Sequence, residues 1–161
     1  MSYPLCVCVV VMSSDGQVLS TSRRHDPDAW GLPGGKVDPE DGDINTDMEG
    51  TLRAAGVREL YEETGLRVAP DTLIPLYTGP CKDESGGGNP DAMSVTYTLT
   101  LADAEKALRG APSGYLRADP TPSPSPLGDG IFWAWKEWRE LISEGAFRSY
   151  NRKVYLSFGN L

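Results

Sequence analysis

The sequence predicts an α/β protein of one domain, a helix–sheet–helix (α/β/α) sandwich with a mixed central sheet, and three observations carry the prediction. Strand-like and helix-like segments interleave along the chain instead of clustering by type. The first strand, within Tyr3 to Met12, is apolar on both faces, as a central strand covered from two sides must be. The 161 residues give room for one hydrophobic core and no second full domain, so residues 1–161 are read as a single unit.

Each element follows from local chemistry. Ser13-Ser14-Asp15-Gly16 is a turn signal, so Gln17 to Ser22 is expected to pair with or lie beside the first strand. Arg23 to Gly35 reads as a loop, because it holds Asp26-Pro27 and the run Trp30-Gly31-Leu32-Pro33-Gly34-Gly35. Val37 to Gly50 is polar and rich in Asp, Glu and Gly, which predicts an exposed excursion. A helix is expected from about Thr51 to Thr64, with Thr51 a candidate N-cap and Gly65 the left-handed terminator. Leu66 to Thr78 and Met93 to Leu101 read as extended, separated by the glycine-rich loop Ser85 to Pro90. Asp103 to Arg109 reads as a short helix. Asp119 to Pro126 has proline at every second position from Pro120 and is expected to stay unpaired at the surface. Ile131 to Trp135 returns as a strand, and Phe147, Tyr150, Val154 and Phe158 recur at helical spacing.

Charge and cysteine content narrow the function. Fifteen basic residues against 23 acidic ones give a formal net charge of −8, which argues against binding duplex nucleic acid or anionic lipid. An acidic chain still binds a polyphosphate when divalent cations sit between the two sets of negative charge. The apolar run Leu5 to Met12 is too short to cross a bilayer and has no basic leader before it, so a cytoplasmic protein is expected. Cys6, Cys8 and Cys81 are odd in number, and Cys6 and Cys8 point to one strand face, which fits reduced thiols. With His25 as the single histidine, a zinc site has no second ligand pair.

The informative segment is Arg58-Glu59-Leu60-Tyr61-Glu62-Glu63-Thr64-Gly65-Leu66. At about 100° per residue, Glu59, Glu62 and Glu63 share one helical face, while Val57, Leu60, Tyr61 and Thr64 take the other. Like charges at this spacing repel by roughly 0.2–0.5 kcal/mol per close pair, so helix stability does not account for them. Oxygen ligands for a hard divalent cation do. Upstream, Gly34-Gly35-Lys36 combines a backbone that can approach a ligand closely with a lysine able to meet phosphate.

On these residues the chain resembles the Nudix (MutT-like) hydrolases, whose box reads G-x5-E-x7-R-E-U-x-E-E-x-G-U, with U aliphatic. Arg58 to Leu66 matches the second half at every specified position, and Leu32-Pro33-Gly34-Gly35-Lys36 is similar to the usual lead-in. The spacing departs from the box: Gly35 and Arg58 stand nine residues further apart than it specifies. Counting forward from Gly35 puts Asp41 at the first box glutamate, and counting back from Arg58 puts Gly50 there, beside Glu49.

The resemblance implies a Mg²⁺- or Mn²⁺-dependent hydrolase of a nucleoside diphosphate linked to another group. Glu62, Glu63 and the Gly34 carbonyl would hold metal, Glu59 would bind metal or act as base toward water, and Arg58 would position the carboxylates. Asp129, or secondarily Glu84, is the candidate for a further acidic ligand. Arg23, Trp30, Gly35, Lys36 and Asn151 are the candidate substrate contacts, with Arg24 beside the first of them. A nucleoside triphosphate, oxidised or otherwise non-standard, cleaved to monophosphate and pyrophosphate is the leading substrate reading. ADP-ribose or another nucleotide sugar, suggested by the position of Pro80, is the alternative, and a non-catalytic nucleotide-binding module is a third. The partner expected is a small nucleotide, and a homodimer is compatible with the reading.

Overall fold

The computed structural model describes residues 5–84, 92–116 and 121–160. The glycine-rich stretch expected from Ser85 to Pro90 lies outside them. Two four-stranded sheets form the centre. In the first, β1 (Leu5–Val10) runs parallel to β6 (Met93–Thr98) and antiparallel to β4 (Gly34–Lys36), and β5 (Ile74–Pro80) closes the far edge against β6. In the second, β2 (Val18–Arg23) lies between β3 (Asp26–Gly31) and β8 (Phe132–Lys136), and β7 (Ser123–Pro124) adds to β8, all antiparallel. The helices are α1 (Met48–Thr64), α2 (Leu101–Arg109), α3 (Trp138–Ser143) and α4 (Arg148–Ser157).

The period-2 alternation of β1 divides the core. Val7, Val9 and Val11 face one cluster with Leu52, Ala55 and Leu60 of α1. Cys8, Val10 and Met12 face another with Trp138, Leu141, Tyr150 and Val154 of α3 and α4. A strand packed on both sides this way is held by apolar burial of about 1.5–3 kcal/mol for each large side chain. No helix among the described residues is long and apolar enough to cross a membrane.

Three local expectations are corrected. Arg23 to Gly35 is largely strand, not loop: Pro27 is tolerated because β3 is an edge strand, and Gly34-Gly35 pair with Cys8 and Val7. The proline-rich stretch does pair, through Ser123 and Pro124 against Trp133 and Phe132, again at an edge. The first helix begins at Met48, three residues before Thr51, because Asp47 supplies the cap by accepting from the Gly50 amide at 3.0 Å. Gly65 ends this helix with φ at 80°, as expected for the left-handed terminator.

Candidate active site

Five elements build the site. β4 brings Gly34 and Gly35 alongside β1, the second half of α1 lies across them, and the ends of β2 and α4 complete a cleft of about 400 Å³. That volume is in the range of small-molecule sites. Cys6, Cys8 and Cys81 line it, with the thiols of Cys8 and Cys81 held protonated by burial.

The two glycines are there for close approach. A Cβ on Gly35 would lie 2.5 Å from Glu59 Oε1, and one on Gly34 would meet the Val7 carbonyl and the Cys8 backbone. The bare backbone lets the Gly34 amide donate to Glu63 Oε1 at 2.7 Å. Glu63 is only 7% exposed. Its pKa is pushed well above the usual carboxylate range by burial, against the Gly34 hydrogen bond, with Glu59 and Asp129 adding repulsion. Glu59 is raised to about 7, by burial first, opposed by Arg58 and reinforced by Glu62. Two carboxylates that are costly to ionise therefore stand together at the cleft, the condition a bound cation relieves.

Arg58 gathers the remaining acids. Its Nε and Nη2 reach Asp41 at 2.8 and 2.9 Å, and its Nη1 reaches Glu59 at 3.1 Å and Glu62 at 3.0 Å. Nη2 also donates to the Lys36 carbonyl at 3.0 Å, which ties α1 to β4. Asp41 sits in a 3₁₀ turn, Pro39–Asp41, where its own Oδ2 accepts from the Asp38 amide. With 3% of its side chain exposed, Asp41, the residue reached by counting forward from Gly35, is held against Arg58. Glu49, the residue beside the position reached by counting back from Arg58, instead pairs with Arg53 on the outer surface.

The structure separates the other candidate residues. Glu62 is turned to Arg58, and among the described residues no three His, Cys, Asp or Glu side chains form a group that could hold a metal ion. Glu59 and Glu63 are the acids of the motif that line the cleft. Asp129 hydrogen-bonds to Ser125 at 2.7 Å and pairs with Arg24 at 3.1 Å, outside the cleft lining. Glu84 pairs with the start of α4. Arg23, Arg24, Gly35 and Lys36 line the cleft, and so does Asn151, which is buried and donates from Nδ2 to the Leu141 carbonyl at 3.2 Å. Trp30 does not line it; its ring lies under Lys136 at 4.7 Å and packs against the α3–α4 cluster. Tyr61, expected on the sheet-packing face, is 37% exposed beneath Arg67. Sequence reasoning missed Asp83, Phe147 and Tyr150 as cleft residues, since Lys82-Asp83-Glu84 reads as a solvated acid pair and the two aromatics as plain core.

Fold and site together define an α/β/α sandwich in which a glycine strand, through the Gly34 amide, meets a helix-borne carboxylate. The family model of the NUDIX domain matches residues 2–119, and the chain belongs to that family. Over 72 residues, 45% of this chain, it is 36% identical to a Bacillus subtilis protein provisionally assigned as an 8-oxo-dGTP diphosphatase, covering 42% of that protein. It is 28% identical over 97 residues, 59% of this chain, to an ADP-ribose pyrophosphatase of Methanocaldococcus jannaschii, covering 50% of it. The chain thus spans half or less of these curated relatives. Among solved structures, the E. coli dihydroneopterin triphosphate pyrophosphohydrolase superposes with a TM-score of 0.61 at 18% identity, covering all of both chains. The fold is therefore shared with that family at low sequence identity.

Proposed function

We propose that this chain is a divalent-cation-dependent pyrophosphohydrolase that cleaves nucleoside triphosphates, including oxidised or non-standard ones, to monophosphate and pyrophosphate. The observation that carries the reading is the pairing of Glu59 and Glu63 across the Gly34-Gly35 backbone, on one side of a cleft whose other walls bring Arg23, Arg24 and Lys36. When bound, Mg²⁺ or Mn²⁺ supplies charge neutralisation at the phosphoryl oxygens and lowers the pKa of water. Glu63 and Glu59 would hold the cation, with Glu62 and the Gly34 carbonyl as neighbouring oxygen donors. Glu59 would also accept a proton from attacking water. Arg58 keeps Glu59 and Glu62 oriented through its fork to Asp41. Lys36 and Arg23 meet the phosphate chain, and Asn151, with its Nδ2 engaged, offers its amide oxygen to an N–H on the base.

The ADP-ribose alternative has the M. jannaschii relative in its favour. Pro80, the residue that suggested it, ends β5 opposite Met93 and is exposed away from the cleft, so it gives that reading no support. One assay separates the readings: incubate a panel of nucleoside triphosphates and ADP-ribose with Mg²⁺ or Mn²⁺ and identify the products. Monophosphate plus pyrophosphate is expected. Release of AMP and ribose 5-phosphate at higher kcat/KM would move the assignment to nucleotide sugars, and no turnover on any substrate would leave a binding module.

A further inference from the structure

The segment Cys81 to Glu84 follows β5 and touches both sides of the cleft. Its last residue secures α4. Phe147 stands at the N-cap and has no group to cap with, and Glu84 does so from outside the helix, accepting from the Ser149 amide at 2.8 Å with Arg148 at 3.5 Å. The Glu84 amide in turn donates to the Ala146 carbonyl. The residue before it faces the other way. Asp83, with 1% of its side chain exposed, approaches Arg23 Nη2 at 2.9 Å at the end of β2. Phe147 lies under the same guanidinium, 5.0 Å from ring centre to Cζ.

At 2.9 Å, with the Asp83 side chain buried, Asp83 and Arg23 hold each other in place. Arginine otherwise carries large rotamer freedom that a ligand would have to freeze on binding. We propose that Asp83 is a positioning residue: it fixes the Arg23 guanidinium at the cleft wall, pre-organised for the phosphate chain of the nucleotide. This rests on the reading of Arg23 as a phosphate contact given above. Asp83 touches no reacting atom in this role, so its removal changes binding and leaves the chemical step alone.

The test measures KM and kcat with Mg²⁺ and a nucleoside triphosphate, and Kd for its non-hydrolysable α,β-methylene analogue, after confirming the fold by thermal melting. Asp83→Asn is expected to raise KM and Kd about tenfold with kcat within about twofold, the effect of losing one oriented charge-assisted contact. Adding Arg23→Gln to Asp83→Asn should then change either constant by less than about threefold, because the unheld arginine no longer contributes. Arg23→Lys keeps a cation beside Asp83, so it folds even if Asp83→Asn does not, and it should give the same tenfold loss. Unchanged constants in Asp83→Asn, a further tenfold loss in the double variant, or wild-type constants in Arg23→Lys would each overturn the proposal. A wild-type chain that binds no analogue would instead overturn the nucleotide reading itself, and this inference with it.

Discussion

The two halves of α1 carry the same kind of pair and use it differently. Near the start, Glu49 and Arg53 form an i,i+4 ion pair at 3.3 Å, with 66% of the glutamate side chain exposed. Near the end, Arg58 and Glu62 repeat the motif at 3.0 Å, and there the arginine is 17% exposed and also holds Asp41 and Glu59. The exposed pair is worth a few tenths of a kcal/mol. The second half leans on β4, which removes water from Glu59 and Glu63 and converts the same residue types into a charge cluster with raised pKa values. Burial, not residue identity, makes one end of the helix a site and leaves the other a solvated face.

The largest expected contrast is in turnover. Glu63→Gln keeps the Gly34 hydrogen bond and removes the charge, so kcat should fall by about 10²–10⁴. Melting of the metal-free variant at pH 8 should rise by about 2–4 °C, the shift that ~1 kcal/mol gives in a chain of this size. Glu49→Gln should change neither, and equal losses in both would erase the distinction between the halves.

Stability sharpens it next. Arg58→Ala strands Asp41, Glu59 and Glu62 together and should cost about 3–5 kcal/mol in denaturant unfolding, as breaking a buried ion pair does. Glu49→Ala should cost under about 0.5 kcal/mol.

A smaller effect is expected from removing the extra nine residues. Gly42 lies against Thr51, where a Cβ would stand 2.6 Å from the threonine hydroxyl, so the ends of the excursion meet and residues 42–50 can be deleted across a short gap. The loss should be limited to the Asp47 cap and one helical turn, about 0.5–2 kcal/mol, with turnover within about twofold. Loss of turnover would show that the excursion supports the site.

Acidity gives the smallest and most specific signal. Glu59 has a folded pKa of about 7 against a usual 4.5, so between these values the folded state binds more protons than the unfolded one. Metal-free stability should therefore rise as pH falls from about 7 toward 5. Glu59→Gln should reduce this slope, measured by melting across pH, leaving the contribution of Glu63, and an unchanged slope would place the titrating group elsewhere.

How much of this was legible depended on whether a residue's role is local. Arg58 to Gly65 could be read directly, because helical spacing fixes which carboxylates lie together and Gly65 marks the end. Counting left two registers open, and the Asp38-anchored turn that brings the Asp41 carboxylate to Arg58 is a tertiary contact that spacing alone does not show. β3, β4 and β7 were hidden by proline and glycine, which sheets accept at edges and at close approaches. The sequence pattern also put Glu62 and Glu63 on an equal footing; only the packing of β4 buries one and leaves the other to Arg58. Asp83 was invisible because its partner, Arg23, is sixty residues away in the chain.

The central claim is that Glu59 and Glu63 form the cation site, and titration calorimetry with Mn²⁺ in the absence of nucleotide tests it most directly. The account predicts heat of binding for the wild-type chain, at least tenfold weaker affinity in Glu63→Gln and in Glu59→Gln, and wild-type affinity in Glu49→Gln. Wild-type Mn²⁺ affinity in Glu63→Gln would contradict it.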